Sequence, residues 1–377
     1  MKRLTPLVFF LLIFCGARAD DFSDGREAYE QEDYKTALSL FQSAGDQGDA
    51  AGYFWAAGLY LQGKGVPQDR AEGAKWLTLA AEQGHLESQV LLANYYLVSL
   101  NGTISDENLH LAEFWFYKAA EQGDPEAQYK LGAISQGRDT DEDSISVKWY
   151  RLAAEQGHAE AQVKLGMYLF AGIGDQQNLE EANKWWRKAA EQGNADGQYW
   201  LGIFFAMSDR PAFDSVKAAK WLRKAADQGH VDAQYQLAGA YIAGRGVAQD
   251  YVEAVKWYRM SAEQGQADAQ MSLGHLYSSG NNIPKDDSEA VKWLTKAAEQ
   301  GKAFAHHLLA IHFLQGTGVP KDYAQGYAHL NIASALGYEH GKTMLTNLEP
   351  ILSKETISQG QSIAREIWGK LKARESD

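Results

Sequence analysis

A single phrase returns along most of this chain and limits what the chain can fold into. A glycine closing A-A-E-Q-G or a close variant recurs, and six of the eight intervals between these glycines are 36 residues. A fixed period of this length is typical of a repeat protein, in which each unit packs only against its neighbours. The repeated glycines are Gly48, Gly84, Gly123, Gly157, Gly193, Gly229, Gly265, Gly301 and Gly337.

A tryptophan stands eight residues before each of the seven central glycines. The outermost two glycines have Leu40 and His329 at the equivalent place. Terminal units of a repeat protein commonly differ in this way, because each has a neighbour on one side only. The tryptophans are Trp76, Trp115, Trp149, Trp185, Trp221, Trp257 and Trp293.

Each repeat contains two predicted helices. The first follows A-Q-x-x-L-G-x-x-Y, as in Ala269–Tyr277, with apolar and small residues at helical spacing. A loop of the form G-x-G-V-x-x-D follows, in which glycine permits positive φ and the aspartate caps the next helix. The second helix, as in Glu253–Gln264, ends at the repeated glycine. The pattern therefore predicts a helical hairpin.

A hairpin of this kind cannot bury its apolar faces alone, so stacking builds the core. The sequence therefore predicts an all-α solenoid of stacked helical hairpins with a period of about 36 residues. The small residues allow close approach between helices, and tryptophan and tyrosine fill the remaining space. These aromatic residues are interpreted as structural.

The repeated phrases resemble Sel-one-like repeats, relatives of tetratricopeptide repeats that occur in exported bacterial adaptors. The similarity covers eight repeats over residues 51–338, and Ala233–Gly265 and Ala269–Gly301 carry it clearly. It implies a right-handed superhelix whose first helices line the concave face. Two loops depart from the pattern, a longer one at residues 101–108 and a shorter one at residues 137–144. Members of this family bind cell-wall enzymes, signalling complexes or host immune proteins.

The first 19 residues have the pattern of a cleaved signal peptide. Lys2 and Arg3 precede the apolar stretch Leu7–Phe14, and Ala17–Ala19 provides a small-x-small cleavage site. The sequence thus predicts export, with the periplasm as first destination and the cell surface or secretion left open. A lipoprotein anchored at Cys15, the only cysteine, is the competing interpretation, but bulky Phe14 precedes it.

The two ends of the mature chain are predicted to cap the repeats. Residues 20–50 form an N-terminal cap with one helix over residues 26–47, and residues 339–377 form C-terminal capping helices. Ser353 is placed to cap the last helix, whose apolar residues include Ile367 and Trp368. That helix would seal the last repeat, or alternatively dock into a partner.

Charge and composition exclude several classes of partner. The full chain carries a formal charge of -13, and removal of the signal peptide would make it three charges more acidic. Clustered lysine and arginine, needed to hold nucleic acid or anionic lipid, are missing. We therefore expect no nucleic-acid partner and, after signal cleavage, no membrane insertion.

The sequence lacks the motifs of familiar enzymes. S-x-x-K, G-x-S-x-G, H-E-x-x-H and the phosphate-binding G-x-x-x-x-G-K-[ST] do not occur. Acidic residues 139–143 resemble a calcium loop, but Ser144 and Tyr150 occupy positions where glycine and glutamate are needed. His306 and His307 fall on different sides of one helix, which disfavours a metal site. We expect no catalytic residues, no metal and no cofactor.

The first helices provide the candidate binding surface. Counted from the first alanine of each repeat, positions three, seven and ten share one helix face, and positions one, five, six and nine serve packing. An apolar stripe on such a face indicates either an interaction surface or packing within the repeat. The candidate protein-binding residues are Phe54, Tyr129, Met167, Phe170, Tyr199, Ile203 and Tyr235.

An acidic row precedes this stripe and would favour a partner with lysine or arginine, although helix N-terminal charges explain it equally well. It comprises Glu87, Glu126, Glu160, Asp196, Asp232 and Asp268. The sequence therefore predicts an exported, non-enzymatic scaffold that holds a protein or peptide partner. A peptidoglycan-binding module, with tyrosines stacked on sugar rings, is the main alternative, and a hydrolase is a remote third.

Overall fold

A computed structural model describes residues 21–98, 104–136, 140–173, 176–207 and 213–376. All regular secondary structure in these residues is helical, and they contain no strand. The helices are α1 (Asp21–Glu30), α2 (Tyr34–Asp46), α3 (Ala50–Gln62), α4 (Arg70–Glu82), α5 (Leu86–Leu97), α6 (Asp106–Glu121), α7 (Pro125–Ile134), α8 (Thr140–Glu155), α9 (Ala159–Ala171), α10 (Leu179–Glu191), α11 (Ala195–Ala206), α12 (Ser215–Asp227), α13 (Val231–Ala243), α14 (Tyr251–Glu263), α15 (Ala267–Ser279), α16 (Asp287–Ala298), α17 (Ala303–Gln315), α18 (Tyr323–Ala335), α19 (Glu339–Leu348) and α20 (Lys354–Ser376).

The chain forms two compact units, with the boundary between Trp185 and Trp186 inside α10. In the first unit, each helix from α1 to α8 packs against the next one along the chain. In the second unit, each helix from α11 to α18 packs against the next one, and α20 packs against α18. The predicted all-α stack of helical hairpins is confirmed.

The N-terminal region contains two helices, so the prediction of one helix over residues 26–47 is wrong. Glu32 has a φ of +62°, which a helix interior does not allow. Asp33 then caps α2 by accepting a hydrogen bond from the backbone N–H of Thr36 at 3.2 Å. The two helices form a hairpin, and Phe41 is fully buried where they meet α3.

Loop chemistry sets the start of the second helices. Asp250 accepts hydrogen bonds from two backbone N–H groups at the start of α14, as predicted. Gly244 and Gly246 precede it with φ values of +64° and +71°. A Cβ on Gly246 would lie 1.9 Å from the carbonyl oxygen of Ser215, so this loop also needs glycine to approach the neighbouring repeat.

The repeated glycine ends each second helix through a left-handed turn. At α4, Gly84 has a φ of +88°, and its N–H donates to the carbonyl of Ala81. The N–H of His85 reaches the Ala80 carbonyl at 3.0 Å. This double pattern is a Schellman motif. It places His85 directly at the N-cap of the next first helix, so two residues suffice to reverse the chain.

The C-terminal helix packs against the last repeat. Ser353 caps α20 by accepting from the N–H of Thr356 at 3.1 Å, as predicted. Ile367 and Trp368 of α20 pack against Ala328 and Ile332 of α18. The helix therefore lies where the sealing interpretation places it, and its apolar face is already occupied.

Candidate protein-binding surface

The seven predicted binding residues are all partly buried. None of the seven side chains is fully buried, and none is fully exposed. The first unit carries Phe54, Tyr129, Met167 and Phe170, and the second carries Tyr199, Ile203 and Tyr235. Partial burial fits a groove-lining residue, and it fits equally a residue that packs between repeats.

Three of the rings lie against the histidine that caps the next first helix, two of them stacked and the Phe54 ring tilted. The ring centroids are 4.7 Å apart for Phe54 and His85, 4.8 Å for Tyr129 and His158, and 4.5 Å for Tyr199 and His230. Each contact covers part of the aromatic ring and fixes its orientation. These stripe residues therefore take part in contacts with the start of the next first helix while remaining partly exposed.

These histidines are held by their backbone position. His158 is the N-cap of α9, and its Nδ1 accepts from the N–H of Ala161 at 3.2 Å. Its Nε2 then donates to a carboxylate oxygen of Glu126 at 2.9 Å. His230 repeats the arrangement with Ala233 and Asp196. These hydrogen bonds assign the tautomer in which Nε2 carries the proton.

Part of the acidic row pairs with the N-cap residue of the next first helix. Besides these two carboxylates, Asp268 pairs at 2.7 Å with Lys302, the N-cap residue of α17. Burial alone would raise the pKa of Glu126, but hydrogen bonds from His158 and Lys130 outweigh burial and lower it. These three acids therefore have partners within the chain, whereas Glu87 and Asp232 lie exposed.

A buried glutamine at position two of the repeat was not recognised from the sequence. In the second unit, Gln234 is 1% exposed, and its Nε2 donates to the Ala226 carbonyl at 3.2 Å. Its Oε1 accepts from Nε2 of Gln264, the glutamine of the E-Q-G phrase, at 2.9 Å. We call this recurring pair the glutamine ladder. Its other described pairs are Gln89 with Gln122, Gln128 with Gln156, Gln198 with Gln228, and Gln270 with Gln300.

The glutamine ladder satisfies buried polar groups between repeats, so breaking a rung should cost stability. We expect Gln234→Leu to lower the free energy of unfolding by about 1 to 3 kcal/mol, because it leaves the Ala226 carbonyl without its donor. Urea unfolding followed by circular dichroism measures the loss. Gln264→Ala is the matched control and should cost less, because Gln264 is exposed. Equal losses for the two variants would contradict the role of the buried residue.

Exposed apolar residues on the second helices were also missed. In the first unit, Phe114 and Tyr117 on α6 and Leu152 on α8 are each more than a third exposed. The sequence did carry a signal for some of these exposed apolar residues. Four repeats have lysine three residues after the repeated tryptophan, and the other three have Leu79, Leu152 and Met260 there. These exposed side chains lie on second helices, whereas the predicted stripe lies on first helices.

The candidate chemical sites have no cation-binding geometry in the part of the chain that the structure describes. Within those ranges, no group of three or more histidine, cysteine, aspartate or glutamate residues could hold a metal ion. Backbone from Thr140 onward is helical in α8, while residues 137–139 lie outside the described residues. Across the same ranges, no helix is both long and apolar enough to span a bilayer.

A family model for the Sel1 repeat matches residues 22–49, 50–85, 86–124, 125–158, 159–194, 195–230, 231–266, 267–302 and 303–338. The chain belongs to the Sel1 repeat family. The matches number nine, and they include residues 22–49, which were predicted above to form a cap. The two helices α1 and α2 in that stretch agree with a repeat hairpin.

Two solved Sel1-type structures resemble this protein over most of its length. A Sel1 repeat protein from Oxalobacter formigenes aligns with a TM-score of 0.65 and 27% identity, covering 92% of this chain and 97% of that one. The protective antigen c5321 of uropathogenic Escherichia coli aligns with a TM-score of 0.59 and 29% identity. That alignment covers 93% of this chain and 84% of the antigen.

Two relatives share shorter segments with this chain. An uncharacterised protein of Neisseria meningitidis serogroup B is 34% identical over 103 residues, which is 27% of this chain and 20% of that protein. An exopolysaccharide production negative regulator of Rhizobium leguminosarum is 29% identical over 126 residues, or 30% of this chain and 47% of the regulator. This Sel1 repeat protein therefore matches less than half of either relative.

Proposed function

We propose that this Sel1 repeat protein is an exported, non-enzymatic scaffold that binds a protein or peptide along its first helices. The observation that carries the proposal is the set of partly exposed aromatic rings held in place by stacked histidines. Tyr199 on His230 is the tightest of these stacks. The Sel1 repeat fold, typical of protein-interaction scaffolds, supports the same conclusion.

Preorganisation explains how such a surface would bind. A tyrosine fixed by stacking loses little side-chain entropy when a partner covers its remaining face, and it still contributes a large apolar area. Exposed Glu87 in the first unit and Asp232 in the second would favour lysine or arginine in the partner. Both features assist association and require no bond-making chemistry.

The proposal of export rests on residues 1–19, which lie outside the described residues. Their basic start, apolar stretch and small-x-small end support secretion across the inner membrane, with the periplasm as the proposed location. A cell-envelope enzyme, a signalling complex or a host protein is the proposed kind of partner.

The test uses the mature chain, residues 20–377, as bait in a crosslinking pull-down from periplasmic extract. The parent should capture a specific protein, and a Tyr199→Ala, Tyr235→Ala double variant should retain it at least about tenfold less. A Phe114→Ala, Tyr117→Ala double variant is the matched control, because it removes two aromatic rings from a second helix. It should capture the same protein as the parent.

Other outcomes contradict particular parts of the proposal. Loss of capture only in the Phe114 and Tyr117 variant would move the binding surface to the second helices. Absence of any captured protein, together with cosedimentation of the parent with purified peptidoglycan, would replace the scaffold function with glycan binding. Circular dichroism establishes that each variant remains helical.

A further inference from the structure

A cleft open to solvent lies between α18 and α20 in the second unit, with a volume of about 480 Å³. Small-molecule sites in proteins occupy roughly 300 to 1,000 Å³, so this cleft has room for one six-membered ring with its substituents. Its floor is apolar, because the buried side chains of Ile332 and Ala364 lie there. The partly buried indole of Trp368 and the exposed residue Ala335 line its sides.

Arg365 brings an unpaired cation to this cleft. The residue is exposed, and no carboxylate of the described residues lies within ion-pair distance of its guanidinium. The helix across the cleft, α18, contains no acidic residue. On α20 itself, the neighbouring carboxylate of Glu366 is paired with Lys370 at 2.7 Å. In a chain with a formal charge of -13, a cation without an acidic partner favours an anionic group from outside the chain.

Two amide side chains lie beside this cation. Gln361 lines the cleft from one helical turn before Arg365 on α20, and Asn331 lines it from α18. An amide has two N–H donors and a carbonyl acceptor, so it can bind a hydroxyl group as donor or as acceptor. Both amides also lie close to the hydroxyl of Tyr327, and a hydrogen bond to that hydroxyl leaves each amide with further donors and acceptors.

We propose that this cleft binds a sugar acid, a sugar ring with a carboxylate substituent as in a uronic acid. The carboxylate binds Arg365, the ring hydroxyls bind Asn331 and Gln361, and a C–H face of the ring lies on the apolar floor. A guanidinium can hold a carboxylate through two parallel hydrogen bonds. A simple aliphatic acid would leave both amides against apolar groups, which costs free energy, so the hydroxyls of a sugar fit better.

The cleft shares no residue with the stripe on the first helices, so binding here is independent of the proposed scaffold function. Ligand-observed NMR titration of the full mature chain, residues 20–377, measures the affinity for three matched probes. We expect methyl β-D-glucuronide to bind saturably with a Kd of about 1 mM. Methyl β-D-glucoside lacks the carboxylate and should bind about tenfold more weakly, because the charged contact is lost. Cyclohexanecarboxylate lacks the hydroxyls and should also bind about tenfold more weakly.

Two variants test the polar contacts separately. Arg365→Gln should weaken binding of the glucuronide about tenfold and leave that of the glucoside nearly unchanged, because only the glucuronide has a carboxylate. Gln361→Leu should weaken binding of the glucuronide about fivefold and leave that of cyclohexanecarboxylate nearly unchanged, because only the glucuronide has hydroxyls.

Two further variants locate the site. Ala335→Trp should abolish binding by filling the cleft from its exposed side. Lys354→Gln removes one exposed cation from the start of α20, outside the cleft, and should bind the glucuronide as the parent does. The Tyr199→Ala, Tyr235→Ala variant of the stripe should also bind it unchanged. Circular dichroism and thermal unfolding establish that α20 remains docked in each variant.

The proposal is overturned if the glucuronide does not bind saturably. Equal affinity for cyclohexanecarboxylate and the glucuronide would make the cleft a site for simple carboxylic acids instead of sugar acids. Equal affinity for the glucoside would remove the assigned role of Arg365. Binding of the glucuronide that both Arg365→Gln and Ala335→Trp retain would place the ligand elsewhere.

Discussion

Replacing Trp293 with alanine should lower the free energy of unfolding by about 3 to 5 kcal/mol. Trp293 is 2% exposed and packs in the second unit with Trp257 and Leu273. Its indole N–H also donates to Glu289 at 2.9 Å. Removal leaves a large cavity in the core and takes away one of the hydrogen bonds to that carboxylate, which also pairs with Lys292. Urea unfolding followed by circular dichroism provides the free energy and the m-value.

Trp221→Ala is the matched control in the same unit. Trp221 occupies the equivalent position but is only partly buried, with Nζ of Lys224 4.3 Å from its ring centroid. Its replacement should therefore cost clearly less than that of Trp293. A reduced m-value would show that the affected repeat opens separately from the others. If both variants lost the same free energy of unfolding, the idea that the more buried tryptophan contributes more to packing would be wrong.

Acidification should destabilise the second unit through the histidine pair of His306 and His329, whose Nδ1 atoms lie 2.8 Å apart. Burial lowers the pKa of His306 from 6.5 to about 4, and burial beside His306 also lowers the pKa of His329. The unfolded chain therefore takes up protons near pH 6.5, whereas the folded chain does so only near pH 4. Stability is lost as the pH falls through this window, by about 2 kcal/mol between pH 7 and pH 5 for His306 alone.

The His306→Gln, His329→Trp variant tests this origin, because it restores the residues that the central repeats have at these positions. Its free energy of unfolding should fall less between pH 7 and pH 5 than that of the parent. Other titrating groups are common to both proteins, so the difference between the two slopes isolates the histidines. If the free energies of unfolding of the two proteins fell equally with pH, the histidine pair would not be the cause of the acid destabilisation.

Much of the fold could be predicted because its signals are local and repeated. Asp250 and Gly84 act through hydrogen bonds within a few residues, and the repeat presents the same chemistry many times. The break between α1 and α2 was missed, because the left-handed conformation of Glu32 is carried by a residue that does not usually adopt it.

The candidate surface was harder to predict because it depends on contacts between residues about 30 positions apart in the sequence. Gln234 reads as a polar residue on a helix, and only its neighbour 30 residues later shows that both its hydrogen-bonding groups are satisfied in the core. The contact between Tyr199 and His230 likewise joins two residues that are far apart in the sequence. Comparing each position with the following repeat, and not only with its own helix, would have found both.

The glutamine ladder has a consequence for how proteins of this kind can change length. Each rung lies within one repeat and donates to a backbone carbonyl of the repeat before it, so an inserted copy of an interior repeat finds the acceptor that it needs. Tyr53 and His306 occupy the glutamine position at the two ends and bond instead to Asp46 and His329. Duplication of an interior repeat would therefore preserve the ladder, whereas a copy of the last repeat would carry the histidine pair in its place.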